Sequence, residues 1–209
     1  MDYLVTILVL LVFLQTRIMD LRRAVYCLSA QSAIIALSCI AIGLGTGNIE
    51  HGLIPAVLTI LVKVIFIPGA VLKIIGELRN EREVVSDINT NSSTVAAALF
   101  LVLGYAIVGR VMPDAGAKDV ISASILMIMT GLSLMVLRKR AVMQIVGLIT
   151  LENGIYLLGL LLTRGLPLVV ELGVFLDVLI AVVVLVILTG RMRLSFMTTD
   201  TSIMKKLKG

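Results

Sequence analysis

The chain has 209 residues, of which 59% are hydrophobic and only 15% charged, against about 45–50% apolar in an ordinary soluble domain. A soluble domain is excluded, and the composition implies an integral membrane protein with little mass outside the bilayer. The net charge of +5 is not a nucleic-acid footprint, because the basic residues cluster at the ends of apolar runs.

Chemistry-bearing motifs are few. Cys27 and Cys39 share one apolar segment without a CxxC pair, which argues against a disulfide or metal framework. His51 is the only histidine, so bis-histidine haem ligation within the chain is excluded. There is no glycine-rich phosphate loop and no nucleophile elbow. The first apolar run reads as a retained helix rather than a cleaved signal peptide.

A spanning helix needs about 20 mostly apolar residues. In chain order the runs 3–16, 24–44, 53–76, 94–112, 120–137, 141–163 and 167–190 satisfy that rule, the first being short. The sequence therefore predicts an all-α, polytopic membrane bundle of about seven transmembrane helices. MPDAGAKD separates the fourth and fifth spans as a turn. Pro55 and Pro167 fall at span starts, where a missing N–H costs nothing. Pro68 lies inside the third span, where it blocks one backbone hydrogen bond and frees the carbonyl of Val64, next to Lys63.

With seven spans, Arg17, Arg22, Arg23, Lys73, Arg79, Arg82, Arg138, Lys139, Arg140, Arg191, Arg193, Lys205, Lys206 and Lys208 fall on one side. Only Arg110, Lys118 and Arg164 fall on the other. That asymmetry places the C-terminus in the cytoplasm and the N-terminus outside a prokaryotic inner membrane. The loop 77–92 mixes both charge signs and reads as a solvated or partner-facing connection. LRRAV opens the second span and LRKRAV the sixth. Residues 1–76 and 120–190 are then either two related three-helix units or chains whose basic loops recur for topology alone. The expected organisation is an N-terminal membrane unit (1–92), a linker helix (93–118) and a C-terminal three-helix unit with a basic tail (119–209).

The informative residues are charges inside apolar runs. IVGLITLENGIYLLGLLLT carries Glu152, LPLVVELGVFLDVLIAVVVLVILTG carries Glu171 and Asp177, and GLIPAVLTILVKVIFIPGAVLKII carries Lys63. Each such charge costs about 2.5–3.5 kcal/mol at a helix centre on insertion scales. At about 1.5 Å per residue, Glu152, Asp177 and Lys63 all fall roughly 15 Å from a helix end, near the midplane. Glu171 lies only about 6 Å inside the outer end, on a different face from Asp177. A row of charges at one depth suits lateral proton transfer between neighbouring subunits better than a pore. Tyr156, four residues after Glu152, is spaced to hydrogen-bond it, and Asn153 and Thr150 add polar capacity. Each residue also has a plainer reading. Glu152 would be a neutral acid gluing two helices, Asp177 and Lys63 would neutralise each other, and Glu171 would be an ordinary interfacial carboxylate.

RKRAVMQIVGLITLENGIYLLGLLL and VVELGVFLDVLIAVVVLVILTGRMR resemble the C-terminal half of the hydrogenase-4 component E family, with ENG and ELGVFLD the most specific segments. LVKVIFIP resembles that family's lysine–proline segment, and the terminal LKG fits it as well. The C-terminal three-helix unit is also similar to subunit K of respiratory complex I and to a small subunit of cation/proton antiporters. Asp177 matches the second membrane glutamate of subunit K. Glu152 matches the first only with a shift of about one helical turn.

The resemblance implies a membrane subunit of a formate-hydrogenlyase-type, energy-converting [NiFe] hydrogenase or a relative. Such a subunit binds no metal or cluster of its own. It neighbours antiporter-like membrane subunits and a peripheral redox arm with nickel–iron or iron–sulfur subunits. Glu152, Asp177, Lys63 and Glu171 would form a midplane proton or ion path, with Tyr156, Asn153 and Pro68 in support. The competing expectations are a structural scaffold without a proton role and a subunit of a multisubunit cation/proton antiporter.

Overall fold

A computed structural model describes residues 2–46, 49–76, 90–111 and 118–162, with isolated positions at 179, 182, 183, 186 and 190. Every element is helical: α1 (Asp2–Arg17), α2 (Leu21–Thr46), α3 (Ile49–Thr59), a π-helical segment (Ile60–Phe66), α4 (Ile67–Gly76), α5 (Thr90–Val111), α6 (Lys118–Leu137) and α7 (Ala141–Leu162). The pieces from Ile49 to Gly76 follow one another without a break and make the third expected span.

Five helices are long and apolar enough to cross a membrane: Leu21–Ala41, Gly52–Lys73, Ser92–Val111, Lys118–Leu137 and Ala141–Leu161. The expected count of seven is not reached among the described residues. α1 has 16 residues, or about 24 Å of helix against a hydrocarbon core of about 30 Å. The span expected at 167–190, with Glu171, Asp177 and Pro167, lies outside the described residues apart from isolated positions. Two boundaries also differ from expectation. α5 begins at Thr90, so the helix takes in the last three residues of the loop expected at 77–92. α3 begins at Ile49, which puts Pro55 inside the helix rather than at its start. Its missing N–H leaves the carbonyl of His51 without an intrahelical donor.

Local chemistry sets the turns. Asp20 precedes α2 and its Oδ1 accepts the N–H of Arg23 at 3.1 Å, satisfying one of the orphan donors of a helix start. At the other end of the α6–α7 hairpin linkage, the buried Arg138 donates to the carbonyl of Thr16 at 2.9 Å and meets Met19 Sδ at 3.3 Å. A guanidinium there complements the negative C-terminal end of α1. The turn after α1 and the turn after α6 therefore lie together at one end of the bundle.

α6 and α7 pack closely because glycines line their contact. A Cβ added at Gly131 would lie 2.6 Å from the carbonyl oxygen of Gly147, and one at Gly154 would lie 2.9 Å from the backbone nitrogen of Ile128. Only the absence of side chains lets these backbones approach, as small residues do in membrane helix pairs. The apolar core divides into two clusters. One gathers Val5, Leu8, Ile35, Leu126, Met127 and Leu157. The other gathers Leu21, Leu28, Val71, Leu134, Met143 and Ile149. In α2, α6 and α7 alike, a short stretch holding polar residues separates the residues of one cluster from those of the other.

Candidate functional site: a buried ion pair within a polar belt

The polar stretches meet in the interior and form a belt. α1 contributes Gln15, α2 Gln31 and Ser32, the π-helical segment Lys63, α6 Thr130, and α7 Thr150, Glu152 and Asn153; all are buried. Along each of the helices α2, α6 and α7 these positions fall between the two apolar clusters, which is the arrangement expected of a layer near mid-depth.

Lys63 is at the centre. Its side chain is 1% exposed and forms an ion pair with Glu152, itself 4% exposed. The Nζ also donates to Asn153 Oδ1 at 3.2 Å and lies 5.5 Å from the centroid of the Tyr156 ring. An ammonium carries three N–H donors, and a carboxylate, an amide oxygen and a ring face make a good set for it in a dry interior. Asn153 passes the connection on, its Nδ2 donating to Ser32 Oγ at 3.1 Å. Glu152 Oε2 faces Lys63, whereas Oε1 has no hydrogen-bond partner among the described residues.

The π-helical segment presents Lys63. It runs seven residues, longer than the single-turn bulges in which π register usually appears. The N–H of Ile67 reaches the carbonyl of Val62, five residues back. Pro68 has no N–H with which to continue that register, so the turn that carries Lys63 is the last of the segment. Pro68 is thus a neighbour that ends a widened turn.

Tyr156 departs from the expected role. Its spacing suggested a hydrogen bond to Glu152, yet its hydroxyl lies 3.4 Å from Cys39 Sγ while its ring sits beside Lys63. The ring is oriented by the α2–α7 contact, which spacing along α7 alone does not reveal. Among the described residues, Lys63 pairs with Glu152. Asp177 and Glu171 lie outside the described residues, so no geometry attaches to them.

Several belt residues went unread in the sequence. Gln31 donates to Gln15, Gln15 Nε2 donates to Thr150 Oγ1 at 2.9 Å, and Thr150 Oγ1 donates to the carbonyl of Val146 at 2.8 Å. Gln15 stands near the end of the first apolar run, and Gln31 and Ser32 inside the second. The available signal was an uncharged amide in a membrane span, a residue type that commonly bonds across helices. Among the described residues, no group of three His, Cys, Asp or Glu side chains is placed to hold a metal ion.

No family model matches the chain, and no solved structure matches it. It is 29% identical over 116 residues to hydrogenase-4 component E of Escherichia coli, and equally to that of Shigella flexneri. Those matches cover 55% of this chain, which spans about half, 54%, of the length of these relatives. The similarity to the uncharacterized protein Rv0085 of Mycobacterium tuberculosis extends much further: 34% identity over 193 residues, covering 90% of this chain and 87% of that protein. Identity sustained over nearly the whole of both chains is family membership, and the chain belongs to the family of that mycobacterial protein.

Proposed function

We propose that this protein is a membrane subunit of a multisubunit, energy-converting redox complex, in which the Lys63–Glu152 pair is one station of a midplane proton or ion path. The observation that carries this reading is the ion pair itself, enclosed in the bundle and joined to a belt of polar side chains. Burial disfavours the charged form of each partner and the other partner's charge favours it, so the protonation of such a pair responds to charge changes in its surroundings. The partial similarity to hydrogenase-4 component E, by its name one component of a larger hydrogenase, supports a subunit role. In this reading Asp177 and Glu171 continue the path, and the partners are antiporter-like membrane subunits and a peripheral redox arm. The N-terminus lies outside the membrane and the C-terminus in the cytoplasm.

The test is made in the whole complex in native membranes. Glu152→Gln and Lys63→Met should leave electron transfer by the redox arm running while ion pumping falls away. Pumping retained in both variants would overturn the proposal. A scaffold role is the second reading, favoured by the full set of contacts around Lys63. It predicts that the same variants fail to assemble, and that any complex which does assemble pumps normally.

A further inference from the structure

The belt does not stop at the ion pair. From Lys63 it runs through Asn153 to Ser32, and the adjoining Gln31 carries it through Gln15 to α1. On the other side of α1, Thr16 Oγ1 lies 3.3 Å from Thr94 Oγ1 of α5. There a cavity of about 20 Å³ opens between α1, α5 and α6, its wall mostly apolar (Ala97, Phe100 and Leu134 among others) with Thr16, Thr130 and Ser133 as its polar points. The polar residues thus lead from the π-helical segment to the end of the bundle where the turn after α1, the turn after α6 and the start of α5 meet.

Two buried polar atoms on this route have no hydrogen-bond partner among the described residues: Gln31 Oε1 and Thr130 Oγ1. Their side chains are 0% and 2% exposed. Amides and hydroxyls that served only to fasten helices would be saturated by protein, because a buried unpaired acceptor is costly. The cavity is roughly the size of one water molecule, and the threonine hydroxyl beside it supplies a polar partner.

We infer that this side of the belt is a water-binding site: water held beside Gln31 Oε1 and in the Thr16–Thr130 cavity extends the polar residues from the Lys63–Glu152 pair to the end of the bundle where α1, α5 and α6 meet. Side-chain amides pass protons poorly and water passes them well, so the extension would give the pair an exit toward that end of the bundle. That last step rests on the proposed function above, whereas the water site itself does not.

Radiolytic hydroxyl-radical footprinting of the resting complex, read by mass spectrometry, tests it without turnover. Three methionine positions with the same intrinsic reactivity are compared. Leu134→Met places a reporter on the wall of the cavity. Ile35→Met places a reporter one turn after Gln31. Met143, 0% exposed in the apolar cluster around α4 and α7, is the dry reference. The expected result is faster sulfoxide formation at both introduced methionines than at Met143. Thr130→Val should then remove the excess at position 134, and Gln31→Leu the excess at position 35. Oxidation at position 134 no faster than at Met143 would overturn the inference, as would an excess that survives both substitutions. A variant that misfolds is recognised by a rise at Met143, and Phe100→Met, on the α5 side of the same cavity, then decides. A dry belt would refute the water site and leave the pumping test of Glu152 and Lys63 standing.

Discussion

α5 and α7 are both 22 residues long and mostly apolar, yet they occupy opposite situations. In the span of α7, 72% of positions are buried inside the molecule, against 17% in the span of α5. α7 holds the glycines that admit α6, the carboxylate that pairs with Lys63 and the amide that anchors Ser32. α5 turns Val95, Leu99, Val102, Leu103 and Ile107 outward. In a membrane, apolar side chains do not distinguish inside from outside, because lipid is as apolar as leucine. Small residues and polar pairs decide which helix is central.

The largest test of that contrast exchanges the same residue in both helices. A Cβ at Gly147 would lie 2.8 Å from the Gly131 carbonyl oxygen and 2.9 Å from the Met135 nitrogen, whereas one at Gly109 of α5 meets nothing within 4 Å. Backbone atoms cannot swing aside, so Gly147→Leu should exceed the roughly 1–3 kcal/mol typical of overpacking and leave no monodisperse protein on size exclusion in mild detergent. Gly109→Leu should purify normally. Equal damage at the two sites would mean that α5 is covered in the same way as α7.

Next in size is the ion pair. Lys63→Met strands the Glu152 carboxylate in the interior, a loss of about 3–5 kcal/mol by analogy with broken buried pairs. Unfolding in detergent by denaturant titration should show it. Adding Glu152→Gln should recover most of the loss, since two neutral side chains no longer need each other. A double variant as unstable as the single one would show that the pair is not what the centre of α7 depends on.

A smaller effect is expected where α6 meets α1. Arg138→Met removes a charged hydrogen bond to the Thr16 carbonyl, worth about 1.5–3 kcal/mol. Arg110→Met, at the exposed end of α5, should stay within about 0.5 kcal/mol. Thermal unfolding of the two variants side by side measures the difference, and a comparable loss at Arg110 would blunt the contrast between the helices. Smallest of all, Gly109→Ala should raise stability by no more than about 1 kcal/mol, through helix propensity alone.

The amino-acid sequence by itself determined that this is a helical membrane protein, where most of its helices run, and that Glu152 and Lys63 are exceptional. Hydropathy and the cost of a buried charge are properties of the residues themselves, so they can be read before any fold exists. The sequence also marked Asn153 as useful polar capacity, and it now holds Lys63 to Ser32. That Lys63 meets Glu152 and Asn153, where the Tyr156 hydroxyl points and how Gln15, Gln31 and Thr150 come together were decided by tertiary structure. Each of those contacts joins residues on different helices, and an apolar helix surface says little about its azimuth. The rotation and crossing of α2, α6 and α7 come from backbone approach at Gly131, Gly147 and Gly154, together with the widened turn before Pro68. Only that packing converts polar residues at similar depth into one connected belt.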